Sequence, residues 1–172
     1  MKQKLTLCGL NHKSLEEFVQ VIGPVFEHSP WIAEATHAKR PFADLESLHQ
    51  ALCETVKSAP EGKQLELICR HPDLVGRAAL AGTLTPASTS EQSSAGLNKL
   101  SPDESEMFQS YNRAYREKFG FPFVICARLN KKEAILNAFP VRLKNSRQEE
   151  IKTALEEIYK IAYFRLQDIV AE

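Results

Sequence analysis

Apolar residues recur at spacings of three and four along most of the chain, the period of helices that bury one face. Leu15, Phe18, Val19 and Ile22 form the first such stripe. Ser14 precedes it with Glu17 three residues on, the pairing in which each residue caps the other's backbone N–H, and Gly23-Pro24 ends it. Ser29-Pro30-Trp31 predicts a second start, with serine as cap and proline at the first helical position. A third helix is predicted from Asp44, with Leu45, Leu48, Leu52 and Val56 on one face. Pro60-Glu61-Gly62 reads as a loop, and Gln64 to Arg70 as a short helix that must stop before Pro72. Gly82 to Ser94, rich in Thr, Ser and Pro, reads as the principal loop of the chain. Ser101-Pro102-Asp103-Glu104 opens a long helix carrying Met107, Phe108, Tyr111 and Tyr115, closed by Gly120. Phe121 to Leu129 is a continuous apolar run that periodicity does not classify. From Ser146 a last helix sets Ile151, Leu155, Ile158, Ala162 and Ile169 on one side. The expectation is an all-α fold: a single compact domain of about seven to eight helices spanning residues 1–172.

Composition agrees with helix and narrows function. Only seven glycines occur in 172 residues, and the 22 basic side chains equal the 22 acidic ones. No global field attracts nucleic acid or anionic lipid, so neither is expected as a partner. The four cysteines, Cys8, Cys53, Cys69 and Cys126, show no C-x-x-C spacing and read as free thiols of a reducing compartment. No stretch is apolar enough to cross a bilayer, the start lacks a secretion signal and the final tripeptide is not a peroxisomal one, so the expected location is the cytoplasm.

Three places break the pattern. His71 stands directly before Pro72, which disfavours helical geometry at the histidine and puts it at the start of a following helix. There its imidazole is either a cap or a satisfied core group, or a proton carrier poised near neutral pH. Ser88-Thr89-Ser90-Glu91-Gln92 holds a hydroxyl, a carboxylate and an amide close together. Ser88 with Glu91 fits a capping box, and the same cluster suits a small urea-like ligand that both donates and accepts. Arg165 lies on the last helix's apolar stripe, between Ala162 and Ile169. Its guanidinium must meet a carboxylate, either an internal Asp or Glu or that of an anionic ligand.

Six pieces in order, Ser29-Pro30-Trp31-Ile32-Ala33-Glu34, Arg40-Pro41-Phe42, His71-Pro72-Asp73-Leu74, Ser88 to Gln92 continuing into Ala95-Gly96-Leu97, Lys118 to Phe123, and Arg165-Leu166, carry a likeness. Through them the chain resembles the 2-oxo-4-hydroxy-4-carboxy-5-ureidoimidazoline (OHCU) decarboxylase family. The resemblance implies an all-α carboxy-lyase, typically a homodimer, that converts OHCU to (S)-allantoin in uric acid degradation without cofactor or metal. It implies His71 as the catalytic acid/base, with Pro72 beside it. Ser88, Thr89, Ser90, Glu91 and Gln92 become substrate-binding residues, Glu91 and Gln92 at the ureido group. Phe123, Val124, Ile125, Cys126 and Ala127 become a segment that meets the ligand largely through its backbone, and Arg165 an anchor for anionic or carbonyl oxygens. Such domains also occur fused to uricase, and association with uricase or hydroxyisourate hydrolase follows as a partner expectation. Two other classes stand beside this reading: a hydrolase of a neighbouring ureide, and a non-catalytic helical interaction domain.

Overall fold

The computed structural model describes residues 4–171. Ten α-helices carry the described chain, and its only strands are two-residue segments, so the all-α expectation holds. The chain groups into two compact units, one running to Arg70 together with the segment from Ala162 onward, the other His71–Ile161.

The first unit contains β1 (Leu5–Thr6), α1 (Leu7–Asn11), α2 (Leu15–Ile22), α3 (Trp31–Thr36), α4 (Leu45–Lys57) and α5 (Glu61–Arg70), and it ends with β2 (Val170–Ala171). The Ser14–Glu17 capping box is present at the start of α2. The stripe positions Phe18, Ile22, Leu48, Leu52 and Val56 are buried as their spacing predicts. Ser29 does not cap α3; its hydroxyl turns back to donate to the Glu27 carbonyl, and the helix begins without a side-chain cap. α5 starts at Glu61, inside the stretch read as a loop, because Pro60 occupies the position before a first turn that needs no amide from it. Arg40-Pro41-Phe42 is a structural clamp. The Arg40 guanidinium donates 2.7 Å bonds to the Asn11 and Lys13 carbonyls. The Asn11 amide and the Phe42 backbone exchange two bonds of 2.9 Å. Unforeseen in the sequence, β1 and β2 pair in parallel, Leu5 with Val170 and Thr6 with Ala171.

The second unit contains α6 (Arg77–Leu80), α7 (Pro86–Ser94), α8 (Pro102–Phe119) and α9 (Lys132–Arg142), followed by most of α10 (Arg147–Ile169), whose last turns belong to the first unit. α7 overturns the loop reading of Gly82–Ser94: Thr85 caps it and Pro86 opens it. α9 had no helical signature in the sequence. α8 opens on the expected capping box and ends at Gly120, whose φ of 80° only glycine adopts freely. Its Tyr115 enters an aromatic cluster with Phe119, Phe121, Phe123 and Phe139, in which the last two stack with centroids 3.9 Å apart. Such pairs add about 0.5–1.5 kcal/mol each to the burial of their surface.

At the edge of that cluster lies a buried ion pair. Arg142 donates to Glu150 through Nε at 3.0 Å and Nη2 at 2.8 Å. Glu150 also accepts the Tyr115 hydroxyl and the Asn145 amide. Burial, followed by the bond to Glu150, pushes the Tyr115 hydroxyl well above the usual tyrosine range, so it stays a donor.

Four carboxylates near helix starts are held below their ordinary values, 4.5 for Glu and 3.8 for Asp. Backbone N–H bonds lead at Glu17, Asp44 and Glu149, whereas a bond from Lys132 leads at Glu104. A folded-state pKa below the unfolded one stabilises the fold above the unfolded value and is lost as pH falls through the folded one. Urea unfolding should therefore give nearly constant stability from pH 7 to about 5 and a progressive fall from about pH 4.5 down to 3. Equal urea midpoints at pH 5 and pH 3 would contradict this account.

Candidate active site

His71 directly follows the last residue of α5 and is buried, with 6% of its surface exposed. The next helix begins only at Arg77 and is four residues long. The expected helix start after His71 is thus replaced by a loop over residues 72–76, because Pro72 breaks the preceding helix and Val75 takes a φ of 54°. A β-branched residue in that region costs about 1–3 kcal/mol and needs its surroundings to hold it.

The surroundings do so from one face of α8. Arg116 Nε reaches both Asp73 carboxylate oxygens at 3.0 Å. Asn112 donates to the Leu74 carbonyl at 2.7 Å and Gln109 to the Val75 carbonyl at 2.6 Å. From α7, Gln92 Oε1 accepts the Val75 N–H at 3.2 Å. Gly76 completes the turn, since a Cβ there would lie 2.7 Å from the Asp73 Cβ. The Asp73 carboxylate, the Leu74 carbonyl and both backbone groups of Val75 are thus tied to neighbouring helices, fixing the chain that follows His71.

α7 supplies the polar wall. Ser88 is its third residue and cannot be its cap; the Thr85 hydroxyl accepts the Ser88 N–H instead, so the capping-box reading of Ser88 and Glu91 is overturned. Spacings of three and four place Ser88, Glu91 and Gln92 on one side of the helix, with 4%, 7% and 7% of their surfaces exposed, while Thr89 and Ser90 face outward. A helix face that buries a hydroxyl, a carboxylate and an amide in place of an apolar stripe must give each of them a hydrogen-bond partner. Gln92 is already engaged by its oxygen with Val75, which leaves its amide nitrogen as the donor.

The apolar run is neither helix nor strand up to Cys126 and closes in a single 3-10 turn, Ala127–Leu129, which lies against α7. Phe123, Val124, Cys126 and Ala127 are buried and Ile125 half-buried. Burial is the main cause that raises the Cys126 thiol pKa, with the Glu157 and Glu91 carboxylates adding to it. Burial likewise pushes Cys53 up to about 12. Both are neutral thiols at physiological pH and poor nucleophiles. All four cysteines are free, as their spacing indicated.

Arg165 lies in the first unit. Its Nη1 is 2.9 Å from Glu27 Oε2 and 3.4 Å from the Val25 carbonyl, with both charged side chains buried. The carboxylate demanded by a guanidinium on an apolar stripe is therefore at least in part internal. Glu27 was not singled out in the sequence; the requirement of Arg165 for a partner was the only signal, and it did not say which acid would answer. Among the described residues no group of three or more His, Cys, Asp or Glu side chains is arranged to hold a metal ion, and no helix is long and apolar enough to cross a membrane.

A model of the family described as OHCU decarboxylase matches residues 11–167. The chain is 42% identical over 166 residues to the 2-oxo-4-hydroxy-4-carboxy-5-ureidoimidazoline decarboxylase of Halalkalicoccus jeotgali, covering 96% of this chain and 92% of that protein. It is 43% identical over 171 residues to the uric acid degradation bifunctional protein of Bacillus sp. strain TB-90, covering 98% of this chain but only 33% of that longer protein. Among solved structures, an (S)-allantoin synthase superposes with a TM-score of 0.79 at 29% identity, over 96% of this chain and 54% of that one. Fold and relatives together define a helical carboxy-lyase. The chain belongs to the OHCU decarboxylase family.

Proposed function

We propose that this protein converts OHCU to (S)-allantoin and carbon dioxide in uric acid degradation, with His71 as general acid/base. The observation that carries the reading is a buried histidine on a loop tied by Gln92 to a helix whose buried face is Ser88, Glu91 and Gln92. One relative is named as the OHCU decarboxylase and the other for uric acid degradation, and the solved relative is named as an (S)-allantoin synthase, all of which support the reading.

Breaking the bond to the carboxylate leaves an electron pair on carbon. In OHCU the adjacent carbon forms a C=N bond, which takes up that pair, so the substrate carries its own electron sink and needs no resident cofactor. The protein must turn the carboxylate out of the ring plane and let the nitrogen that takes up the pair gain a proton from solvent. It must also remove the proton from the substrate hydroxyl as it becomes a carbonyl, and return a proton to the adjacent carbon on one face. Proton movement falls to His71, because an imidazole exchanges protons near neutral pH. Ser88, Glu91 and Gln92 orient the ureido arm, Pro72 shapes the wall beside the imidazole, and Thr89 and Ser90 support α7 from its outer side. Phe123 to Ala127 provide an apolar wall with backbone bonds. Arg165, whose Nη1 is paired with Glu27, is the anchor for anionic or carbonyl oxygens of the substrate. The working form is a homodimer in the cytoplasm, acting next to uricase and hydroxyisourate hydrolase; the bifunctional Bacillus relative supports such a linkage.

The test follows circular dichroism during incubation of freshly generated OHCU with the protein, with parallel trapping of carbon dioxide. Enzyme-dependent gas release with an (S)-allantoin signal is expected, since the uncatalysed reaction gives racemate. Racemic product at the spontaneous rate would reject the function, and a chiral ureide formed without gas would favour a hydrolase.

A further inference from the structure

A trans peptide unit is planar, and its carbonyl and N–H point in opposite directions. In the run after Gly120, two consecutive units are each gripped at one end. Arg142 Nη1 donates to the Val124 carbonyl at 2.6 Å, and Glu157 Oε2 accepts the Cys126 N–H at 2.8 Å. The free end of the first unit is the Ile125 N–H, and that of the second is the Ile125 carbonyl. Each is therefore aimed away from the side chain that holds its unit. Among the described residues neither Ile125 backbone group has a hydrogen-bond partner, and Ile125 is the one half-buried residue between Phe123 and Ala127. A donor and an acceptor on one residue form the pair that a strand offers to an antiparallel neighbour. The same pair complements the edge of a urea or cyclic amide, where an N–H and a C=O stand side by side.

The two holders are themselves fixed. The Arg142 guanidinium carbon lies 4.2 Å from the centre of the Phe123 ring, and its other nitrogens are bound to Glu150. Glu157 is tied through its second oxygen to Lys160, one turn away on α10.

We propose that Arg142 and Glu157 are positioning residues that present the two Ile125 backbone groups to a ureido or cyclic-amide edge of the substrate. The proposal rests on the decarboxylase reading and gives the apolar run its recognition chemistry. Neither side chain touches the substrate. Because such an edge is present in substrate, transition state and product alike, loosening the template weakens all three about equally. That raises KM and leaves kcat nearly unchanged.

The experiment compares Glu157→Ala, Glu157→Gln and Glu157→Asp in the full chain. It measures kcat and KM on freshly generated OHCU and, by calorimetry, the Kd of (S)-allantoin. Glutamine keeps a carbonyl for the Cys126 N–H, whereas alanine removes the acceptor and aspartate withdraws it by one methylene. Loss of one oriented bond should raise KM and Kd up to about tenfold in the alanine and aspartate variants. Their kcat should stay within about twofold of wild type, and the glutamine variant should match wild type throughout. Wild-type KM and Kd in the alanine variant would overturn the proposal, as would a fall in kcat at constant KM, the mark of a merely structural role. Should the alanine variant not fold, the aspartate variant decides on the same criteria. A wild-type protein that does not turn over OHCU would instead reject the decarboxylase reading, and is read before any substitution.

Discussion

Replacing His71 by alanine should lower kcat for enzymatic (S)-allantoin formation by about 10²- to 10⁴-fold, the usual contribution of a positioned acid/base. The loss should be chemical and not architectural. Asp73, Leu74 and Val75 are held by Arg116, Asn112, Gln109 and Gln92, none of which uses the imidazole for its bond to the loop. The loop therefore keeps its path when the ring is removed, and the thermal midpoint should move far less than the rate. Stopped-flow circular dichroism on fresh OHCU, with a melting curve of the same preparation, separates the two effects. An alanine variant that retains near wild-type chiral turnover would remove His71 from the mechanism.

Glu150→Ala should produce the largest loss of stability. It leaves the Arg142 guanidinium buried against Phe123 without its counter-charge, and removes an acceptor from Tyr115 and Asn145. Breaking one side of a buried ion pair costs about 3–5 kcal/mol. For a chain of this length that is a drop in Tm on the order of 10 °C. Replacing both members, Arg142→Leu with Glu150→Leu, should cost less than Glu150→Ala alone, since no charge is then left uncompensated. Scanning calorimetry of the three proteins checks the order. A double variant less stable than the single one would show that Glu150 acts through something other than Arg142.

Helix starts were legible because their signals are local: Ser14 with Glu17, and Ser101 with Glu104, write both halves of a cap within four residues. α9 was not, because its burial pattern runs against hydropathy. Arg142 is inside while its neighbour Val141 is exposed, and the reason lies at Glu150 on the next helix. α7 was misread as a loop for a related reason. Its buried face is Ser88, Glu91 and Gln92, so no apolar stripe announced it. The chemistry-bearing residue types at His71 and Arg165 were visible, but their settings were not: His71 follows a helix instead of opening one, and the acid that meets Arg165 comes from Glu27. Those settings depend on chain segments far apart in sequence, which spacing does not encode.

The pairing of Leu5–Thr6 with Val170–Ala171 also bears on how this fold could be rewired. Paired strands lie about 4.8 Å apart, so two distant stretches of chain run side by side in the first unit. Because they are parallel, a covalent bridge from Ala171 to Lys4 would have to double back along the pair, at about 3.3 Å per residue a span of only a few residues. Circular permutation across this seam is thus geometrically cheap, and the exposed Ala81–Thr83 turn offers a place to open the new ends.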